Sequence, residues 1–138
     1  MRLAGSDPFV TGMGIECLAA EAGSARLRLP IETQHLNFMN ICHGGVIFTL
    51  ADTAFGLAAN AYGPVAAGID AHITYQVSVA AGDTLTAVCH EVSRSSKLAV
   101  YRVDVRRQDE VLVSSFTGTV YVTQRRHPDP VPSPAPAH

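Results

Sequence analysis

"NICHGGVIFTLADTAFG", residues 40–56, holds three features that decide how this chain is built. From about Gly45 to Asn60 the apolar residues Val46, Ile47, Phe48, Leu50, Ala51, Ala54, Phe55, Leu57, Ala58 and Ala59 point in nearly every direction around a helix axis. That pattern predicts a helix packed on most of its sides. One carboxylate, Asp52, stands in its middle, where an ionised group is costly unless it is paired or its pKa rises. The helix opens on His43-Gly44-Gly45, where the first backbone N–H groups lack intrahelical partners and the dipole favours negative charge. Glycine lets a ligand come close to those amides, so the helix start is a candidate oxyanion hole.

The remaining sequence supplies what such a helix packs against. Residues 13–31 read as a hairpin turning at Ala22-Gly23, with Ala25, Leu27 and Leu29 alternating against Ser24, Arg26 and Arg28. Residues 32–42 show neither period and form a loop, and Asn60 to Pro64 stops the helix. A long strand follows, with Ala67, Ile69, Ala71, Ile73, Tyr75 and Val77 on one face. Residues 83–92, 98–107 and 111–123 add three more strands, separated by short turns at Ala80-Ala81-Gly82, at Ser93 to Lys97 and at Gln108-Asp109-Glu110. Short connections predict an antiparallel meander, so the expected class is α+β, one long central helix wrapped by a curved antiparallel sheet. Residues 1–124 make a single domain; residues 125–138 carry five of the eight prolines without an apolar period and are expected to be disordered.

Composition narrows the function classes. A net charge of −2 with scattered Lys and Arg argues against a nucleic-acid surface. No apolar run is long enough to cross a membrane and the N-terminus lacks a secretory pattern, so a soluble, cytoplasmic protein is expected. Cys17, Cys42 and Cys89 are widely spaced and form no CxxC pair, and His35, His43, His72 and His90 lack ligand spacing, so no metal is expected. Gly12-Met13-Gly14 reads as a turn rather than a nucleotide-binding loop. Between Gly44 and Asp52 eight residues rise roughly 12 Å along one helix. One chain cannot put both on the same carbonyl, so joint action requires two antiparallel helices across a two-fold axis.

"HLNFMNICHGGVIFTLADTAFGLAAN", residues 35–60, with "GIDAHITYQVSVAAGDTLTA" after it, resembles the signature of hotdog-fold acyl-CoA thioesterases of the phenylacetic-acid-degradation type. The similarity spans about residues 12–123. It implies a hotdog fold that dimerises through its sheet, and a dimer of dimers. It also implies hydrolysis of an aryl-acetyl, aromatic or medium-chain acyl-CoA held in a slot between helix and sheet. Asp52 would be nucleophile or general base, the Gly44 amide would polarise the carbonyl, Asn37 would lie beside the reacting group, and His43 would stand at the helix mouth. For Asn37 the residues alone equally allow a loop amide bonding its own backbone, and for His43 a purely structural role at the helix start. Gly45 adjoins the expected coenzyme A site, and Arg94, Ser95, Ser96 and Lys97 are either phosphate contacts or a polar hairpin tip. Coenzyme A is part of the substrate, and no separate cofactor is expected. Asn40 stands where many members carry Gly, and Gly56 and Gly68 lack a hydroxyl that some place near the attacking water. The alternative is a non-catalytic acyl-CoA-binding protein on the same scaffold.

Overall fold

The computed structural model describes residues 2–128. Two short helices, α1 (Arg2–Gly5) and α2 (Pro8–Met13), precede strands β1 (Glu16–Glu21) and β2 (Ser24–Pro30). The long helix α3 (Gly44–Asn60) follows, and then β3 (Pro64–Tyr75), β4 (Thr84–Arg94), β5 (Leu98–Arg107) and β6 (Leu112–Arg126). All six strands form one antiparallel sheet that packs on α3, as the α+β reading expects.

The period-2 pattern fixes which face meets the helix. Ala25, Leu27 and Leu29 of β2, Leu85, Ala87 and Cys89 of β4, and Tyr101, Val103 and Val105 of β5 are buried, while Arg26 and Arg28 between them are exposed. The helix answers with Ile47, Leu50, Ala51, Ala54, Phe55 and Ala58. Its alanines let the axis come close to the sheet, and Phe55 fills the centre, 5.5 Å from the Phe116 ring and 5.8 Å from the Tyr101 ring. The space between helix and sheet is therefore filled, and the expected acyl slot does not lie there.

The strand order is β1-β2-β4-β5-β6-β3, which corrects the simple meander. β4, β5 and β6 do run consecutively, but β3 pairs with β6 and not with β4. The reason is the helix. It crosses the inner face of the sheet and delivers the chain to the far edge, leaving the free edge of β2 for β4.

Three further departures concern the helix face and the two ends. The helix is not enclosed on most sides: Gly45 and Asp52 are exposed and Thr49, Thr53, Gly56 and Asn60 half-buried, on the face turned from the sheet. The N-terminal residues, read from sequence only as far as a turn, are two helices. Asp7 caps α2 by accepting from the Phe9 and Val10 amides at 3.1 Å, Pro8 occupies its first turn, and Gly14 ends it with φ +84°. At the other end β6 runs to Arg126, two residues past the boundary at 124, and the His127 amide donates to the Gly63 carbonyl. The remainder of the Pro-rich segment, 129–138, lies outside the described residues.

Gly118 shows how tightly the helix sits. A Cβ there would stand 2.8 Å from Phe55 Cζ and 3.0 Å from Phe116 Cε1, in a centre that has no slack. Gly118→Ala is expected to cost about 1–3 kcal/mol through overpacking, seen as a lower midpoint in denaturant with an unchanged slope. An unchanged midpoint would mean that Phe55 moves freely.

Candidate functional site

The first turn of α3 explains the His-Gly-Gly run. His43 is the N-cap residue, and its Nδ1 accepts the Gly45 amide at 2.8 Å. A Cβ at position 45 would press on that nitrogen at 3.0 Å, so glycine there keeps the imidazole in place. Because Nδ1 accepts, the neutral ring carries its proton on Nε2. The other amides of the turn are used as well: His43 N donates to the His35 carbonyl at 2.8 Å, and Val46 N and Ile47 N donate to the His43 carbonyl. Gly44 N alone has no acceptor among the described residues. An unpaired amide at a helix start, next to glycine, is what an oxyanion donor requires.

Asn37 stands just ahead of this turn. Its Oδ1 accepts from Met39 N at 2.8 Å and from Ile41 N at 3.4 Å, so the loop role that the residue type allowed is real. Its Nδ2 donates to nothing among the described residues, and the residue lines a small cavity beside the helix start. Asn40 has φ +59°, the left-handed conformation in which glycine is unstrained and asparagine is the best tolerated alternative. That is the physical reason both residues suit this position. His35 is buried, with Nδ1 accepting the Glu32 amide and Nε2 donating to the Met13 carbonyl. It is a core histidine that fastens the loop to the end of α2.

Asp52 lies on the open face of α3, two turns further along. Its carboxylate accepts no hydrogen bond and forms no ion pair among the described residues; the hydroxyls of Thr49 and Thr53 bond back to the helix, to Gly45 O and Thr49 O. The reading of Asp52 as a buried carboxylate is corrected here: it is exposed, because α3 meets the sheet on one side only. It nevertheless opens into a groove of about 800 Å³, roofed by α1 and α2 and walled by Leu3, Phe9, Phe48, Leu57 and Ala66. These apolar walls thin the water around the carboxylate and raise its pKa above the ordinary aspartate value.

A second, smaller cavity of about 280 Å³ opens beside the helix start, lined by Asn37, Cys42, Gly44, Ile47, Tyr75 and Val79. It shares no residue with the groove of Asp52. The two halves of the expected chemistry thus open into separate cavities of one chain, in agreement with their separation of roughly 12 Å along the helix.

Neither cysteine of the core competes as a nucleophile. Burial pushes the Cys42 thiol up to about 11 and the Cys89 thiol up to about 12, so both stay protonated at neutral pH. Among the described residues no group of three His, Cys, Asp or Glu side chains is placed to hold a metal ion.

The Arg94–Lys97 tip divides. Arg94 turns inward, its guanidinium 3.6 Å from the Tyr62 ring centroid and 3.8 Å from Glu91 Oε1, which also accepts from the Tyr62 and Tyr101 hydroxyls. Ser95 Oγ donates to the Leu98 carbonyl and accepts from the Lys97 and Leu98 amides. These two residues build the turn, while the side chains of Ser96 and Lys97 stay exposed and uncommitted. Sequence spacing could not separate the pairs, because the Tyr62 ring that captures Arg94 lies 32 residues away.

Residues 39–114 match the Thioesterase superfamily. A relative from Archaeoglobus fulgidus that carries an esterase name is 39% identical over 104 residues, covering 75% of this chain and 68% of its own. The acyl-coenzyme A thioesterase PaaI of Escherichia coli is 33% identical over 113 residues, 82% of this chain and 81% of its own. Its solved structure superposes with a TM-score of 0.88 at 30% identity, covering 91% of each chain. A Streptococcus mutans protein solved with acetyl CoA superposes with a TM-score of 0.78 at 30% identity, over 82% of this chain and 91% of that one.

The cap geometry makes a direct prediction. His43→Ala removes the acceptor for Gly45 N and is expected to cost about 1 kcal/mol, whereas His43→Asn restores an acceptor of suitable reach and recovers most of it. Thermal melting of the three proteins decides: an Asn variant no better than Ala would show that the imidazole holds the helix start in another way.

Proposed function

The chain belongs to the thioesterase superfamily and is a PaaI-like acyl-CoA thioester hydrolase of the hotdog fold, and from that premise we propose how and on what it acts. The reaction is hydrolysis of an aryl-acetyl, aromatic or medium-chain acyl-CoA to free acid and coenzyme A. The site is shared by two chains. The observation that carries this reading is the pair of unsatisfied groups on α3, the Gly44 amide and the Asp52 carboxylate, each without a partner among the described residues and too far apart to meet one carbonyl.

The second chain arrives along β3. This strand is 12 residues long, pairs with β6 on one side only, and leaves a row of N–H and C=O groups open on the other. Residues that alternation would bury are left out, Ile69 at 59% exposure and Tyr75 at 50%. A second copy adding its own β3 antiparallel covers them and makes the two sheets continuous. The two copies of α3 then lie antiparallel, so that Gly44 of each faces Asp52 of the other. Two such dimers stack as a tetramer, following the resemblance, without changing the number of sites per chain.

In the shared site the thioester oxygen lies against Gly44 N–H, supported by Asn37 Nδ2, and His43 contributes by holding the turn and presenting Nε2–H at its mouth. The opposing Asp52 attacks the carbonyl carbon or deprotonates the water that does. Both routes use the ionised carboxylate, and both put the developing negative charge on the thioester oxygen against the same amide, a donor worth about 3 kcal/mol in comparable sites. The acyl group occupies the apolar groove over Asp52, whose walls include Phe9 and Phe48, while Gly45, Ser96 and Lys97 face the coenzyme A portion. We place the reaction in the cytoplasm, in keeping with three free cysteines; among the described residues no helix is long and apolar enough to cross a membrane.

Thiol release from a panel of acyl-CoA esters tests this reading. Asp52→Asn is expected to lower kcat by at least about a hundredfold. It should not lower stability at pH 7. The folded state holds the Asp52 proton more tightly than the unfolded chain does, so ionisation disfavours folding as pH rises through the raised pKa, and the amide removes that penalty. For the same reason the acidic limb of kcat/KM falls above the ordinary aspartate range, near 4. An Asp52→Asn enzyme within a few-fold of wild type would end the assignment.

A further inference from the structure

Tyr75 is the last residue of β3, and its backbone is fixed by pairing with Ser114 of β6. The next residue is tied down too, since Gln76 N donates to the Val113 carbonyl at 2.8 Å. From this anchored position the side chain reaches 31 residues back in sequence, and its hydroxyl donates to the Gly44 carbonyl at 3.1 Å. The ring lies along the same residue. A Cβ at position 44 would stand 3.4 Å from Tyr75 Cζ, 3.5 Å from its hydroxyl oxygen and 3.6 Å from Cε1.

Glycine on its own does not hold an amide in one direction, because its backbone explores more conformations than any other residue's. Position 44 therefore needs external restraint if its N–H is to aim at an oxyanion. The cap provides half of it: the Gly45 amide is held by His43 Nδ1. The Tyr75 hydroxyl holds the carbonyl of the same Gly44–Gly45 peptide unit from the other end, and the ring blocks the Cα from shifting toward the small cavity. The Gly44 N–H belongs to the preceding His43–Gly44 peptide unit, whose carbonyl accepts from Val46 N and Ile47 N. With the peptide units on both sides of the Gly44 Cα held, this amide, which has no acceptor among the described residues, keeps a single direction.

We propose that Tyr75 is a positioning residue for thioester hydrolysis, which sets the aim of the Gly44 amide through its bond to the Gly44 carbonyl and so joins the free edge of β3 to the oxyanion site. The inference rests on the shared-site reading above. Tyr75 acts on the carbonyl only through Gly44, so its removal affects what the amide stabilises and leaves the binding of coenzyme A itself alone.

Tyr75→Phe keeps the ring and deletes the hydroxyl. It should lower kcat about tenfold, less than the loss of an oxyanion donor itself, with KM raised no more than several-fold and an unchanged melting temperature. Two unreactive ligands built on the acyl group of the fastest substrate separate aim from binding. One is the ketone with CH2 in place of sulfur, which retains the carbonyl; the other is the S-alkyl-CoA thioether, which has none. The variant should bind the ketone several-fold more weakly and the thioether as wild type does. Unchanged kcat, or equal weakening of both ligands, would overturn the proposal. Asp52→Asn assayed in parallel keeps the failures apart. Retained turnover there removes the shared-site reading and this inference with it, whereas an inactive Asp52→Asn beside a fully active Tyr75→Phe removes the role of Tyr75 alone.

Discussion

The hydrogen bond from the Gly45 amide to His43 Nδ1, 2.8 Å long, governs the start of α3 and with it the chemistry the fold can support. A serine or aspartate cap commonly reaches the second or third amide of the turn and leaves the rest to water. Here the imidazole takes the Gly45 amide, the His43 carbonyl takes the Val46 and Ile47 amides, and His35 takes the amide of His43 itself, so that a single N–H is left over. Selectivity at the site begins with this accounting. The same bond dictates composition at 45, since a Cβ there would stand 3.0 Å from His43 Nδ1 and push on the ring.

The second constraint is the rigidity of the helix. Gly44 and Asp52 lie on one straight element held to the sheet by Phe55, Ala54 and Ala58, so no local rearrangement brings them together. A carboxylate that has no partner among the described residues, at the margin of an apolar groove, and a long strand edge with exposed Ile69 and Tyr75 are costs for an isolated chain. In the dimer proposed above, both would be relieved by the same event, addition of a second copy along β3. On that proposal catalysis and assembly are one requirement, with Tyr75 as the residue common to the pairing edge and the helix start.

Much of the fold is legible in the sequence. The helix is strong in sequence because ten apolar residues recur with no proline before Pro64, and β2, β4 and β5 read correctly because period 2 is strict there and their turns are short. The place of β3 was not legible. Pairing partners depend on where the helix delivers the chain, which no local pattern encodes, and so the meander order failed at that strand. The exposure of Asp52 escaped for a related reason: the apolar residues around the helix do not say that one face is covered only by short segments. The α2 helix carried its signal in Asp7-Pro8 and Gly14, a cap, a first-turn proline and a left-handed terminator, yet six residues were too few to show a period. Of the site itself, the residue types at 37, 43, 44 and 52 point to the chemistry, while the inward turn of Arg94 and the reach of Tyr75 are tertiary contacts across 32 and 31 residues.

The central claim is that Gly44 of one chain and Asp52 of another act on one thioester, and subunit mixing tests it most directly. Asp52→Asn and Gly44→Pro each leave one half intact; proline is well suited to the first helical position and deletes only the amide in question. Each variant alone should be nearly inactive while melting as a folded protein. Equal amounts allowed to exchange subunits give about half mixed dimers, each with one wholly wild-type site, so activity should return to roughly a quarter of the wild-type value. If mass spectrometry shows the mixed dimer and no activity appears, the two groups do not meet across the two-fold axis and the account is wrong.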